Sequence, residues 1–84
     1  MLRPFDPRMK LEYAILSALE DRIPGHGCER VVVVGYAQDE VNELMRELVE
    51  ADYVHALWIV PPGHYVPSEL TQIGRARLRV LRRR

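Results

Sequence analysis

His26 and Cys28 are the side chains whose spacing first suggests chemistry, because they could place two metal ligands in one loop. A zinc site needs three or four ligands, however, and no second pair has zinc spacing. Cys28 also lacks a third group that would orient a histidine for nucleophilic catalysis. Gly25, Gly27 and Gly35 do not form a phosphate loop, since the GK[ST] ending is missing. The sequence therefore predicts no catalytic residues, no metal, no cofactor and no enzyme activity.

Length and composition bound the other possibilities. The chain has 84 residues, which suits a single domain over residues 1–84. Its 48% hydrophobic and 29% charged residues are typical of a globular protein and argue against disorder. The single cysteine fits a reducing compartment, and no apolar run approaches the ~18 residues of a membrane span. We therefore expect a cytoplasmic protein without a membrane segment.

The first half of the chain predicts a helix, a short strand and a second helix. Asp6 and Pro7 are typical of a helix start. Asp caps free N–H groups, and Pro is tolerated because an N–H at the first helical position would have no partner within the helix. The β-branched run Val31–Val34 before Gly35 predicts a short, largely buried strand. Residues 38–51 have a helical apolar period. The apolar residues of that period are Val41, Leu44, Met45, Leu48 and Val49.

Residues 53–67 predict a β-hairpin. Asp52 precedes it at the position where a helix usually ends in a left-handed residue. Pro62-Gly63 has the chemistry of a type II turn between the strands. His55 and His64 could face each other across the hairpin, but two histidines alone are weak support for a metal site.

The last predicted element is a helix from Leu70 to about Arg82. Thr71 is a natural N-cap, and Ser68 is an alternative. Its predicted buried stripe consists of Ile73, Ala76, Val80 and Leu81, flanked by Leu78.

Arg77 falls inside that apolar stripe, where a guanidinium needs a partner or must reach solvent. We expect it to pair with a carboxylate, with Glu12 or Glu20 as candidates, or to lie in an interface.

The elements together predict an α+β, winged-helix-like fold in the order α-β-α-β-β-α, with a C-terminal helix. Residues 40–54 resemble the "EV…LVEAGLI" segment of small bacterial and phage-associated winged-helix proteins of the YjcQ type. Residues 70–78 are similar to the "LTxxGxxxL" start of their last helix. This sequence departs from that pattern at Leu44, where the family often has His, and at Asp52, where it has Gly. The resemblance implies a winged-helix fold and little about activity.

The net charge of zero is the sum of strongly unequal segments. Residues 1–35 are balanced, with five basic and five acidic side chains. Residues 36–69 contain one basic and seven acidic side chains, whereas residues 70–84 contain six arginines and no acid. A uniform basic field is therefore absent, but local charged surfaces are expected.

The acidic side chains of the second helix fall in one stripe opposite its apolar face. In a winged-helix DNA reader this helix enters the major groove, where carboxylates would face phosphates. The predicted wing, residues 55–67, also contains no Lys or Arg. The stripe is either a solvated face or a surface for a protein partner. It consists of Asp39, Glu40, Glu43, Glu47 and Glu50.

The last helix has an arginine stripe that allows three interpretations. Arginine near a helix C-terminus is stabilised by the helix dipole. The stripe could also contact phosphates, or an acidic surface such as the second helix of another copy. It consists of Arg75, Arg79, Arg82 and Arg83.

The predicted wing is rich in large residues, including Trp58 and Tyr65. Ala56, Trp58 and Val60 must point away from Leu57 and Ile59, because side chains alternate along a strand. A small domain covers one such face easily, so the other is a candidate interaction patch. Alternatively, Trp58 simply closes the core.

These features favour a non-enzymatic winged-helix-type regulatory module that acts through protein contacts, as a small homo-oligomer or as a bacterial or phage accessory regulator. The alternative is a DNA-binding transcriptional regulator that contacts phosphates through its arginine-rich C-terminal helix, including Arg84. A third interpretation, an acidic helix that mimics nucleic acid toward another protein, has no independent support in the sequence.

Overall fold

The computed structural model of the chain describes residues 7–20, 31–61 and 63–83. This part of the chain combines helices with a two-stranded antiparallel sheet, which confirms the α+β class. The elements in chain order are α1 (Pro7–Glu20), α2 (Gln38–Glu50), β1 (Val54–Ile59), β2 (His64–Leu70) and α3 (Gln72–Arg82).

Several sequence predictions concern residues outside the described ranges. They are the Asp6 cap, the loop at residues 24–27 with His26, the thiol of Cys28, Pro62 of the hairpin turn, Arg84 and the side chain of Ser68.

The core lies where α1 packs against α3 and β2 while α2 packs against both strands. Helix α1 contributes four apolar side chains to it and contacts both α3 and β2. Helix α2 buries the face that its helical period predicts. The buried core side chains of the helices are Leu11, Ile15, Leu16, Leu19, Val41, Leu44, Met45, Leu48, Leu78 and Leu81.

The strand predicted at Val31–Val34 is not formed. Val31 is buried and Val33 packs on the core, whereas Val32 and Val34 are exposed, so burial alternates as it does along a strand. Residues 31–33 have no ladder partner among the described residues, and the chain turns at Gly35, whose φ is 92°. β-Branched residues favour extended backbone, but a strand also needs a neighbour, and β1 and β2 pair with each other.

The buried face of α3 also differs from the prediction. Gly74, Leu78 and Leu81 are buried at i, i+4 and i+7. Ile73 and Val80 are 52% and 43% exposed, so the helix is rotated away from the purely apolar stripe. The rotation follows from the contacts of Gly74 with Tyr53 and of Arg77 with Glu12, which a wheel drawn from apolar residues cannot include.

The start of α3 is fixed by a junction with the end of α2 and the start of β1. The Thr71 hydroxyl donates to the carbonyl oxygens of Asp52 at 2.6 Å and Tyr53 at 3.0 Å, and its oxygen accepts from the Gly74 N–H at 2.9 Å. This geometry confirms Thr71 as the N-cap. Asp52 has a φ of 64°, the left-handed conformation predicted for it.

Gly74 is required at this junction because its backbone approaches Tyr53 closely. A Cβ at residue 74 would overlap the Tyr53 carbonyl oxygen and lie 2.8 Å from Leu70 Cδ1. The "LTxxG" spacing is therefore explained by a cap and a close approach three residues apart.

The hairpin extends to Leu70, three residues beyond the prediction. Its register places His55 opposite Glu69 and His64 opposite Ile59, so the two histidines do not face each other. His55 Nδ1 instead lies 3.1 Å from Glu69 Oε1.

None of the helices in the described ranges has the length and apolar character needed to cross a bilayer.

Candidate functional site

An open groove of about 440 Å³ lies between α2 and the hairpin. It brings together two sets of side chains that the sequence singled out separately, the aromatic residues of the hairpin and part of the acidic stripe. Its lining residues are Asp39, Asn42, Glu43, Arg46, Trp58 and Tyr65.

The aromatic wall of the groove is formed by Trp58 of β1 and Tyr65 of β2, which are directly opposite in the hairpin register. Their ring centroids are 4.9 Å apart in an edge-to-face arrangement, which the charge distribution of aromatic rings favours. Tyr65 packs against the core, whereas Trp58 remains 51% exposed. Trp58 therefore presents apolar surface to solvent beside the groove.

A chain of hydrogen bonds fixes the hairpin turn against α2. Gln38 Nε2 donates to Asn42 Oδ1 at 3.0 Å, and Asn42 Nδ2 donates to the Gly63 carbonyl at 3.1 Å. Gly63 has a φ of 104°, and a Cβ there would lie 3.3 Å from the Trp58 ring. The turn, the ring and the helix face thus hold one another in place.

The charged side chains of the groove are exposed and of both signs. Asp39 and Glu43 lie on successive turns of α2, and Arg46 follows on the same face. Across the described ranges, none of these three side chains is in an ion pair. The groove therefore offers charges that the described part of the chain does not pair.

The other acidic side chains of the predicted stripe lie away from the groove. Glu40 accepts a hydrogen bond from the Ala37 N–H at 3.3 Å, which helps to cap α2. Glu47 pairs with Arg8 of α1 at 3.0 Å. Glu50 is exposed near the end of α2. The stripe is therefore divided between structural contacts, the groove and solvent.

The arginine stripe of α3 is partly occupied by α1. Arg82 donates two hydrogen bonds to the Glu20 carboxylate, at 2.8 and 2.6 Å. This contact lowers the pKa of Glu20 and raises the pKa of Arg82. Arg75 approaches the Glu20 carbonyl oxygen at 3.5 Å. Arg79 and Arg83 are exposed, so only part of the stripe can meet a partner.

Arg77 pairs with Glu12, one of the two carboxylates named from the sequence. Its Nε and Nη2 lie 2.7 and 3.0 Å from the two carboxylate oxygens, in a bidentate arrangement. The Glu12 side chain is only 3% exposed, whereas that of Arg77 is 28% exposed. Hydrogen bonding to Glu12 raises the pKa of Arg77. This pair locks α1 to α3.

Sequence reasoning missed Asn42 and Arg46 as groove residues. A signal was present, because Asp39, Asn42, Glu43 and Arg46 occupy positions i, i+3, i+4 and i+7 of one helix face. The contact between Asn42 and the hairpin turn could not be found this way, because it depends on how the hairpin folds back.

Two further findings concern alternatives raised from the sequence. Leu57 and Ile59, on the opposite face of β1 from Trp58, are 68% and 38% exposed. In the part of the chain that the structure describes, no three His, Cys, Asp or Glu side chains are grouped as metal ligands would be.

Comparison of the chain with models of known families, with curated proteins and with solved structures finds no match. The resemblance to YjcQ-type winged-helix proteins stays a prediction.

Proposed function

We propose that this chain is a non-enzymatic winged-helix-type regulatory module that acts through protein contacts in the cytoplasm, as a small homo-oligomer. The observation that carries the proposal is the groove, in which a half-exposed tryptophan lies beside charges of both signs that form no ion pair with the described residues.

The arrangement of α2 and the hairpin supports the winged-helix part of the proposal. In that fold a helix is followed by a hairpin wing that lies beside it. Here β1 follows α2, and the Asn42 amide holds the hairpin turn against the helix. The core beneath is completed by α1 and α3.

The chemistry of the groove supports a protein partner. Aromatic residues and arginine are enriched in protein interfaces, and exposed apolar surface beside polar groups is typical of them. Trp58 and Tyr65 are already ordered by their mutual contact and by Gly63. A partner that covers them therefore orders few side chains on binding, which lowers the entropic cost of association.

Sedimentation velocity over a wide concentration range tests this proposal. We expect the sedimentation coefficient to rise with concentration as oligomers form. The Trp58→Ser variant should associate more weakly, because the largest exposed apolar side chain of the groove is lost. A chain that stays monomeric at high concentration and binds no protein partner contradicts the proposal.

The second candidate function is DNA binding through α3, which the exposed side chains of Arg75, Arg79 and Arg83 favour. Titration with random duplex DNA at two salt concentrations tests it. Binding that weakens steeply with salt and is lost in Arg79→Glu supports phosphate contacts. Absence of binding at low salt excludes this function.

A further inference from the structure

The groove-facing side chains of α2 form a line whose charges change sign along the helix. Asp39 lies at one end and Arg46 at the other, with Asn42 and Glu43 between them. Seven residues separate the two ends, a rise of about 10 Å along the axis. Asp39 and Arg46 are therefore too far apart along the helix to pair readily within one chain.

The same line is complementary to itself when it is reversed. In a two-fold contact, residue i of one copy meets residue j of the other, and j meets i. An antiparallel pair of α2 helices with its axis between Asn42 and Glu43 places Asp39 of each copy opposite Arg46 of the other. Glu43 then lies opposite Asn42, whose amide can donate a second hydrogen.

We propose that this face of α2 packs antiparallel against the same face of a second copy, with two reciprocal Asp39–Arg46 ion pairs and Trp58 covered at their edge. The inference rests on the proposed homo-oligomer and specifies its interface. Trp58 and Tyr65 supply the apolar area that ion pairs alone lack.

Two arginines of α3 are poorer partners for this groove than Arg46 is. Arg77 and Arg82 are held in bidentate contacts with Glu12 and Glu20 of α1, so moving either into the groove breaks an existing pair. Arg46 can bind a second copy without breaking an ion pair, because it already lies in the groove and forms no ion pair within the described ranges.

A charge exchange tests the reciprocal pairing. Asp39→Arg and Arg46→Glu each replace two attractive contacts per dimer by two repulsive ones, so each should raise the dimer dissociation constant about 10- to 100-fold. The double variant Asp39→Arg/Arg46→Glu restores opposite charges at both contacts. Its dissociation constant should return to within about threefold of the wild-type value.

Glu50→Arg is the matched control, since it reverses an exposed charge on the same helix outside the groove. The dimer dissociation constant of this variant should stay close to that of the wild type. Loss of Asp39 also weakens the favourable charge at the helix N-terminus, but the double variant carries the same loss. A change in the stability of α2 therefore cannot explain a recovery of dimer affinity in the double variant. Circular dichroism confirms that each variant is folded.

Trp58 provides a second measurement that needs no variant. It is the only tryptophan of the chain, so intrinsic fluorescence reports on the groove. Its emission should shift to shorter wavelength as the protein concentration rises, with the same midpoint as sedimentation. An unchanged spectrum across that midpoint contradicts coverage of Trp58.

The outcomes separate this inference from the broader proposal. Dimers whose dissociation constant is unchanged in both single variants overturn the α2 interface and leave self-association standing. A double variant as weak as the single variants overturns the reciprocal pairing. A wild-type chain that is monomeric at every concentration overturns both the interface and the homo-oligomer.

Discussion

Replacing Arg77 by methionine tests the ion pair that joins α1 to α3. The change keeps much of the aliphatic volume of the side chain but removes the guanidinium from Glu12. The Glu12 carboxylate, 3% exposed, then remains buried without its bidentate partner. Arg8 Nη1, at 3.7 Å, offers partial compensation.

The expected loss follows from the burial of the two partners. Removing one member of a fully buried pair costs about 3–5 kcal/mol of unfolding free energy, because a charge is left unpaired. Arg77 is 28% exposed and Arg8 stays near the carboxylate, so we expect about 2–3 kcal/mol here. A chain of 84 residues has a total stability of about 4–13 kcal/mol. The loss should lower Tm by about 10–20 °C.

A double-mutant cycle separates charge from packing. Glu12→Leu alone should cost less than Arg77→Met, since the Arg77 guanidinium can reach solvent. The double variant Glu12→Leu/Arg77→Met should lie within about 1 kcal/mol of the wild type, because neither charge is left buried. Urea unfolding followed by circular dichroism measures all four proteins. Equal losses in Arg77→Met and the double variant would refute the reasoning and assign the cost to packing.

Three further predictions concern single positions. Gly74→Ala should lower the free energy of unfolding in urea by about 1–3 kcal/mol, because the new Cβ overlaps the Tyr53 carbonyl; a gain, as at an ordinary helix glycine, contradicts this close approach. Contact with Arg82 lowers the pKa of Glu20 below its ordinary value, so the contact stabilises the fold above the ordinary pKa, and this stabilisation is lost as pH falls through the folded pKa. Between pH 5 and pH 3 the wild type should therefore lose more stability in thermal melts than Glu20→Gln, and equal losses contradict the pairing. Asp52→Gly should raise stability by about 0.5–1 kcal/mol in the same melts, since its φ is 64°, whereas a loss shows that the aspartate side chain matters more than the backbone.

Signals that are local in sequence predicted most of the fold. The apolar period of α2, the hairpin and the Thr71 cap each depend on residues close in the chain, and each is confirmed. The prediction of a strand at Val31–Val34 was wrong, because the preference of β-branched residues for extended backbone does not supply a pairing partner. The prediction of the buried face of α3 was wrong, because Gly74 and Arg77 orient that helix through contacts with Tyr53 and Glu12.

The candidate site was predicted in parts. Trp58 and Tyr65 were identified by size, and Asp39 and Glu43 by charge, but nothing in the sequence showed that they share a groove. Their convergence depends on the bond from Asn42 to the hairpin turn, which joins residues 21 positions apart. The pairing of Arg77 was predicted from its position inside the apolar stripe, because leaving a charge unpaired in a core is costly.

The Thr71 junction joins the two ends of the hairpin at its base. Backbone and side-chain bonds from Thr71 to the Tyr53 carbonyl tie its two ends together, beside the core residues Val54 and Leu70. Lengthening a loop whose ends are already held costs little, about 0.6 kcal/mol for each doubling of its length. The base of the hairpin therefore stays in place when the turn is lengthened, while the bond from Asn42 to the Gly63 carbonyl is lost. This scaffold could carry a different recognition surface on the same three helices.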